Sequence, residues 1–284
     1  MRILFCTDGS RISFNALNNF AKWSKGAIVD VICVIDWSFL PDEVSIQEDG
    51  FATSCANVAD SILDFAEKEI SKSNLILGDK IKRCGESVDS IIEQSERESY
   101  DLIVVGSHGK RGLRKWLGSV SREVLNESVT STYISKHQNT AKRILFATDG
   151  TDNSMKAVTQ AIKYINLNDK KIYICIVLEN PNLLFLEGTL DSNWFLEIEH
   201  QQNIHAEKVL KNVKTKLEEY NLPVEKSVIL SGMPAEKIND FATKEEIDLI
   251  VTGTRHKEKS ARHFQSSISK RVLDITSADV MIVK

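Results

Sequence analysis

The stretch Arg2-Ile3-Leu4-Phe5-Cys6-Thr7-Asp8-Gly9-Ser10 returns as Arg143-Ile144-Leu145-Phe146-Ala147-Thr148-Asp149-Gly150-Thr151, at an offset of 141. A short apolar run that breaks at Asp-Gly reads as a strand buried on both faces, ending in a tight turn. Its recurrence makes the chain a tandem repeat, and further matches extend it. Ser13 and Ala16 meet Ser154 and Ala157 at the same offset. Asp101-Leu102-Ile103-Val104-Val105-Gly106 returns as Asp248-Leu249-Ile250-Val251-Thr252-Gly253 at 147, an offset that Gly85 and Gly232 share. Ser119 to Leu125 matches Ser267 to Leu273 at 148. An offset that drifts by a few residues is the mark of small loop insertions between two copies of one module. The boundaries follow: a first domain over 1–136, a linker over 137–142 and a second domain over 143–284. The linker, His137 to Lys142, is short and polar, so the halves should sit against each other.

Within the first copy, apolar strand patterns and helical periodicities alternate. Strands are expected at Arg2–Thr7, Ile28–Ile35, about Leu75–Arg83, Asp101–Val105 and Thr132–Lys136. Between them, Ala16, Leu17, Phe20 and Ala21 mark one helix, and Ala59, Ile62, Leu63 and Ala66 belong to a longer one. Val88, Ile91 and Ile92 mark a third helix and Ser119–Val129 a fourth. The second copy repeats the order; Val209, Leu210, Val213 and Leu217 mark its long helix, and Pro234 suits a first helical turn. A βαβαβαβαβ order implies the α/β class, as two tandem, doubly wound, parallel five-stranded sheets with helices on both faces. Ligands of such sheets bind beyond the carboxyl ends of the strands, where strand order reverses. That rule selects the loop after strand 1, at Thr7-Asp8-Gly9-Ser10, and the loop after strand 4, from Gly106 onward.

Composition narrows the field. The 284 residues suit two domains, and 42% hydrophobic with 27% charged residues is ordinary for a globular protein. A net charge of -4 provides no global attraction for nucleic acid or anionic membrane. No apolar run reaches the ~18 residues of a membrane-spanning helix, and no leader pattern precedes the first strand. Cys6, Cys33, Cys55, Cys84 and Cys175 form no CxxC pair. They read as reduced cysteines of a cytoplasmic protein.

The chemistry concentrates in the loop Gly106-Ser107-His108-Gly109 through Gly118-Ser119. Its glycines permit close backbone approach and positive φ. The helix that starts there presents unpaired N–H groups and a favourable dipole to a phosphate. Ser119 either caps that helix or donates to a phosphate oxygen. Lys110, Arg111, Arg114 and Lys115 would favour a polyanion, although a solvated basic face on a glycine-punctuated loop fits the composition equally. Asp8 has the alternative job of capping the next helix.

These elements together resemble the universal stress protein (UspA) family: strand 1 ending in Thr7-Asp8-Gly9-Ser10, the turn glycine Gly85, and Gly106-Ser107-His108-Gly109 followed by Gly118-Ser119-Val120-Ser121. The resemblance covers the chain once per half. The family's ATP-binding members carry Gly-x2-Gly-x9-Gly-Ser/Thr; here all three glycines remain and the insert is one residue shorter. The resemblance implies ATP, with Mg, as the ligand of the first half. Thr7 and Asp8 would lie near the ribose or a metal-bound water. The backbone of Val34 would meet the adenine edge. Gly106, His108, Gly109, Gly118, Ser119 and Val120 would surround ribose and phosphates. It also implies that the halves form an intramolecular pseudo-dimer by pairing their last strands, which would cover two sheet edges. A homodimer of the whole chain and an unidentified regulatory protein are further implied partners.

The second copy departs at the same loop. Its insert has the family's length, but His256 and Ser266 replace the second and third glycines. A Cβ at each point obstructs backbone approach, so this half is expected to bind ATP weakly or not at all. Its candidate residues are Asp149, Ile176, Gly253, Ser266 and Ser267. The apolar segment Leu183 to Leu186, with Trp194 and Phe195, either lines a pocket for an apolar ligand or covers an interface. Trp116 either covers a bound nucleotide or packs on the surface. His200 and His205 are five apart on a helix, the wrong spacing for a shared metal.

Three functions compete. The first is a non-enzymatic, ATP-binding stress-response protein. The second is a nucleotide-independent scaffold or apolar-ligand binder. The third is an enzyme, at most a slow ATPase. An ATP pyrophosphatase would want Ser-Gly-Gly-x-Asp-Ser after strand 1. A phosphorelay receiver would want an acidic pair there. Neither pattern is present, and no nucleophile elbow appears.

Overall fold

A computed structural model describes residues 1–36, 49–107, 118–137, 139–179, 192–254 and 268–284, with only the backbone for 49–55 and 192–195. The chain divides into two compact units, one mainly Met1–Thr140 and the other mainly Ala141–Lys163 with Leu167–Ala278.

The first unit runs β1 (Arg2–Thr7), α1 (Arg11–Trp23), β2 (Ile28–Ile35), α2 (Asp49–Ile70), β3 (Ile76–Cys84), α3 (Ser87–Arg97), β4 (Leu102–Gly106), α4 (Ser119–Glu127) and β5 (Thr132–Ser135). Its strand order is β3-β2-β1-β4-β5. β1 pairs in parallel with β2 on one side, Thr7 facing Cys33, and with β4 on the other, Phe5 facing Val104. Strand order therefore reverses between β1 and β4, as the repeat pattern implies. Ile3, Leu4 and Phe5 are fully buried because helices cover both faces of the central strand. Each contributes about 1.5–3 kcal/mol by leaving water.

The second unit repeats the order as β6 (Arg143–Ala147), α5 (Asp152–Tyr164), β7 (Lys171–Leu178), α6 (Ser192–Glu218), β8 (Val224–Ser231), α7 (Pro234–Lys244), β9 (Leu249–Gly253), α8 (Ile268–Ile275) and β10 (Asp279–Val283). Its strand order is β8-β7-β6-β9-β10. Pro234 opens α7, where its missing N–H costs nothing. Tyr173 of β7 meets Phe241 of α7 edge-on, with ring centroids 6.3 Å apart.

Two details refine the boundaries drawn from sequence. β4 begins at Leu102, one residue after the expected Asp101, whose carboxylate accepts the backbone N–H of Arg2 at 2.9 Å. Asp248 accepts that of Arg143 at 3.0 Å, so the repeated Arg and Asp clamp the starts of adjacent strands in both units. Inside β2, Asp30 is a fully buried charge. It is held by the Arg2 guanidinium at 2.6 Å, the Tyr100 hydroxyl at 2.8 Å and the Asp79 N–H at 3.0 Å. Such complete satisfaction lets an apolar strand keep a carboxylate.

Candidate functional site

The turn after β1 is built by its own side chains. Thr7 Oγ1 lies 2.7 Å from Ser13 Oγ and accepts the Gly9 N–H at 3.1 Å. Asp8 Oδ1 accepts the Ser10 N–H at 2.9 Å, and Ser10 Oγ accepts that of Ser13 at 3.2 Å. Ser10, not Asp8, is thus the N-cap of α1. Gly9 holds φ +76, and a Cβ there would meet Ile62 of α2 at 2.7 Å. The turn needs glycine both for its left-handed backbone and for its contact with α2.

The second loop leaves β4 at Gly106. A Cβ on Gly106 would stand 3.2 Å from the backbone of Ile12, so this glycine lets the strand end close onto α1. Gly118 caps α4 without a side chain, and its N–H reaches the Ser107 carbonyl at 2.7 Å. The Ser121 hydroxyl donates to the Gly106 carbonyl at 2.6 Å, tying the helix start to the strand end. The first N–H to return to the helix start is that of Arg122, which donates to Gly118 O at 3.0 Å. The N–H groups of Ser119, Val120 and Ser121 therefore have no acceptor within the helix.

Between the two loops lies a cleft of about 650 Å³. Thr7, Asp8 and Val34 line it from the β1 and β2 ends, and Gly106, Gly118, Ser119 and Val120 from the β4 side. All seven described site residues of the first half converge there; His108 and Gly109 lie outside the described residues, as do Lys110, Arg111, Arg114, Lys115 and Trp116. Sequence reasoning missed three parts of the wall: Val58 and Ile62 of α2, Ser87 and Ile91 of α3, and Asp36 after β2. Just before α3, the turn glycine Gly85 holds φ +123 and donates its N–H to the Ile35 carbonyl at 3.1 Å. That bond fixes where α3 starts beside the end of β2.

Two titratable groups in and beside the cleft are shifted from their ordinary values. Burial pushes the Cys6 thiol up, so it stays protonated and unreactive. Glu86, beside α3, is raised by the charge of neighbouring Asp89 and by a hydrogen bond with it. Among the described residues, no cluster of three His, Cys, Asp or Glu side chains is placed to hold a metal. Also among them, no helix is long and apolar enough to cross a membrane.

The second unit reproduces the first turn almost bond for bond. Thr148 Oγ1 lies 2.9 Å from Ser154 Oγ, and Asp149 Oδ1 accepts the Thr151 N–H at 3.0 Å. One bond is new: the Thr151 hydroxyl also donates to Asp149 at 2.6 Å. Burial works to raise Asp149, but the hydrogen bonds from Thr151 and Ser154 outweigh it and hold the carboxyl below its ordinary range. Gly253 packs more tightly than Gly106, with a Cβ position 2.4 Å from the Asn153 carbonyl oxygen. At the end of β7, the Leu178 carbonyl accepts the Gly232 N–H at 3.0 Å, as Ile35 accepts that of Gly85. By that register Val177 stands where Val34 stands, and Ile176 sits one position earlier, because two residues added between α5 and β7 move the offset from 141 to 143. Ser266, Ser267, His256 and the segment 180–191 lie outside the described residues, as do the side chains of Trp194 and Phe195.

The profile of the universal stress protein family matches residues 1–136 and again 140–284. The chain belongs to that family. The universal stress protein MJ0531 of Methanocaldococcus jannaschii is 30% identical over 156 residues, covering 55% of this chain and 89% of that protein. The universal stress protein YxiE of Bacillus subtilis is 25% identical over 146 residues, covering 50% of the chain and 98% of that protein. Among solved structures, a universal stress protein from Archaeoglobus fulgidus superposes over 100% of this chain and 96% of its own, with a TM-score of 0.71 at 22% identity. That likeness establishes the fold of the universal stress protein tandem.

Proposed function

We propose that the first unit binds an adenine nucleotide, ATP with Mg, and that the chain is a non-enzymatic regulatory protein whose state depends on that ligand. One observation carries this reading. The two loops that the sequence singles out, after β1 and after β4, line one cleft together with Gly118, Ser119 and Val120 at the start of α4. Its volume falls within the ~300–1,000 Å³ common for small-ligand sites.

The residues fit a nucleotide. The bare Gly118 and the first turn of α4 offer N–H donors and a positive dipole end to phosphates. Ser119 adds an exposed hydroxyl. Asp8 stands at the end of β1, where a ribose hydroxyl or a metal-bound water would find an acceptor. Val34 offers its backbone for the adenine edge. Gly106, His108, Gly109 and Val120 complete the set. The ion supplies charge neutralisation along the phosphates; this chain binds and orients.

In the second unit, Asp149 and Gly253 keep the local turn, while His256 and Ser266 replace the glycines. Nucleotide binding there is weak or lost. A cytoplasmic location, paired last strands in a pseudo-dimer, a homodimer of the chain and a regulatory partner belong to the same reading.

Calorimetric titration with ATP and magnesium tests it. One site per chain is expected. Gly118→Val should abolish binding, and Ser266→Val should leave it intact. No saturable binding by the wild type would establish a nucleotide-independent scaffold instead. Loss of half of two sites on Ser266→Val would refute the inactive second unit.

A further inference from the structure

A second cavity, of about 720 Å³, lies on the first unit between α1 and α2. Its floor is Phe14 from α1 and Val58, Ile62 and Phe65 from α2. Phe14 and Phe65 meet edge-on with centroids 4.7 Å apart. Val58 and Phe65 remain 53% and 47% exposed, a large apolar investment on an outer helix face.

The polar groups of the rim are unequal. At the far end Glu69 is already paired with Lys72 at 2.5 Å and accepts a hydrogen bond from the Asn18 amide at 3.3 Å. At the near end Arg11 and Asn15, one helical turn apart on α1, have no hydrogen bond or ion pair from their side chains among the described residues. Among the described residues, the open charge of the groove is therefore a cation beside an apolar floor.

The repeat supplies an internal control. Gly9 abuts Ile62 as Gly150 abuts Val209, at 2.7 and 2.5 Å from the ideal Cβ position, so α2 and α6 correspond at an offset of 147. By that register His205 replaces Val58 and Asn212 replaces Phe65. Along α5, at an offset of 141, Met155 replaces Phe14 and Asp152 replaces Arg11. The same fold is thus built without the aromatic pair and with Asp152 and Lys156 in place of Arg11 and Asn15. The apolar floor and Arg11, unpaired among the described residues, are particular to the first unit and not demanded by its architecture.

We propose that this groove is a second ligand site, for a carboxylate bearing an aliphatic tail, with the carboxylate on Arg11 and Asn15 and the tail along Phe14, Val58 and Phe65. It is separate from the nucleotide cleft, yet Val58 and Ile62 line both cavities, so the two share a wall.

Decanoate titrated into the full chain by calorimetry is the test, with decylamine as the opposite-charge probe. One saturable decanoate site is expected. Phe65→Asn should weaken it about tenfold, equal to ~1.4 kcal/mol, while leaving ATP binding unchanged. Arg11→Asp should reverse the preference toward decylamine. Phe65 is half exposed, so an unchanged thermal midpoint will verify that the variant folds. No saturable decanoate binding, or binding indifferent to both substitutions, overturns the proposal. Dissociation of a dimer by Phe65→Asn in sedimentation assigns the groove to a second copy of the chain and overturns it equally.

Discussion

Replacing Gly253 with alanine should harm the second unit more than replacing Gly106 harms the first. A methyl on Gly253 would stand 2.4 Å from the Asn153 carbonyl oxygen, 2.6 Å from its carbonyl carbon and 2.9 Å from the Ser154 nitrogen. All are backbone atoms of α5, so no side chain can turn aside. Restoring an ordinary contact of ~3.5 Å requires the helix to retreat by about 1 Å. A methyl on Gly106 meets the Ile12 backbone and Cγ2 at 3.2 Å, which a shift of a few tenths of an ångström relieves. Overpacking of this kind costs about 1–3 kcal/mol. Gly253→Ala belongs at the upper end and Gly106→Ala near the lower. At roughly 2–4 °C per kcal/mol for domains of 150–250 residues, calorimetric scans should separate the two. ATP titration of Gly106→Ala completes the assay, with a loss of a few fold at most. An equal or greater loss of Tm in Gly106→Ala would refute the reasoning. So would a Gly106→Ala protein of unchanged Tm that no longer binds ATP, since the glycine would then serve ligand approach and not packing.

Further outcomes follow from single features. Ser10→Ala removes the side chain that caps α1 and should cost about 1 kcal/mol in urea unfolding, whereas Asp8→Ala should cost less, because Asp8 braces the turn without capping the helix. Arg2→Met leaves Asp30 buried without its cation and should cost about 3–5 kcal/mol, read from the same unfolding curves. Asp149 titrates below its unfolded value of about 3.9, so its contribution is present above that pH and fades as pH falls through the folded value. Asp149→Asn should therefore lower stability at neutral pH and leave it unchanged once the wild-type carboxyl is protonated, as acid-unfolding curves will show. Burial pushes Cys175 up to about 12 and leaves Cys84 exposed among the described cysteines. Iodoacetamide followed by peptide mass analysis should modify Cys84 in the native chain, and Cys6, Cys33 and Cys175 only after denaturation.

The fold was legible wherever burial acts on many residues at once. β1 and β2 span Arg2–Thr7 and Ile28–Ile35, the bounds expected from their apolar runs, because a central parallel strand leaves no polar position on either face. The edge strand β3 was blurred by a residue at each end, since its exposed positions admit Asp79, Lys80 and Lys82. Asp30 contradicted the pattern of β2. Its partners Arg2 and Tyr100 come from elements distant in sequence, so no local reading finds them. At the cleft, the loop residues were legible because a turn and a helix start impose glycine, serine and aspartate on consecutive positions. The walls from α2 and α3 were not, because Val58, Ile62 and Ile91 look like any other apolar helix residues until the helices are placed.

The opening repeat of Arg2 to Ser10 in Arg143 to Thr151 thus determined, by itself, that the chain is two copies of one parallel α/β module. Periodicity and turn chemistry are local, and the sequence writes them directly. Only the tertiary structure decided what individual residues do within that plan. It made Gly106 and Gly253 packing glycines, moved the helix cap from Asp8 to Ser10, and set Val177 at the place of Val34. It also opened a groove beside Phe14 and Phe65 in one copy where the other has Met155 and Asn212. Those outcomes depend on distances between elements far apart in the chain, and such distances are fixed only when the elements pack.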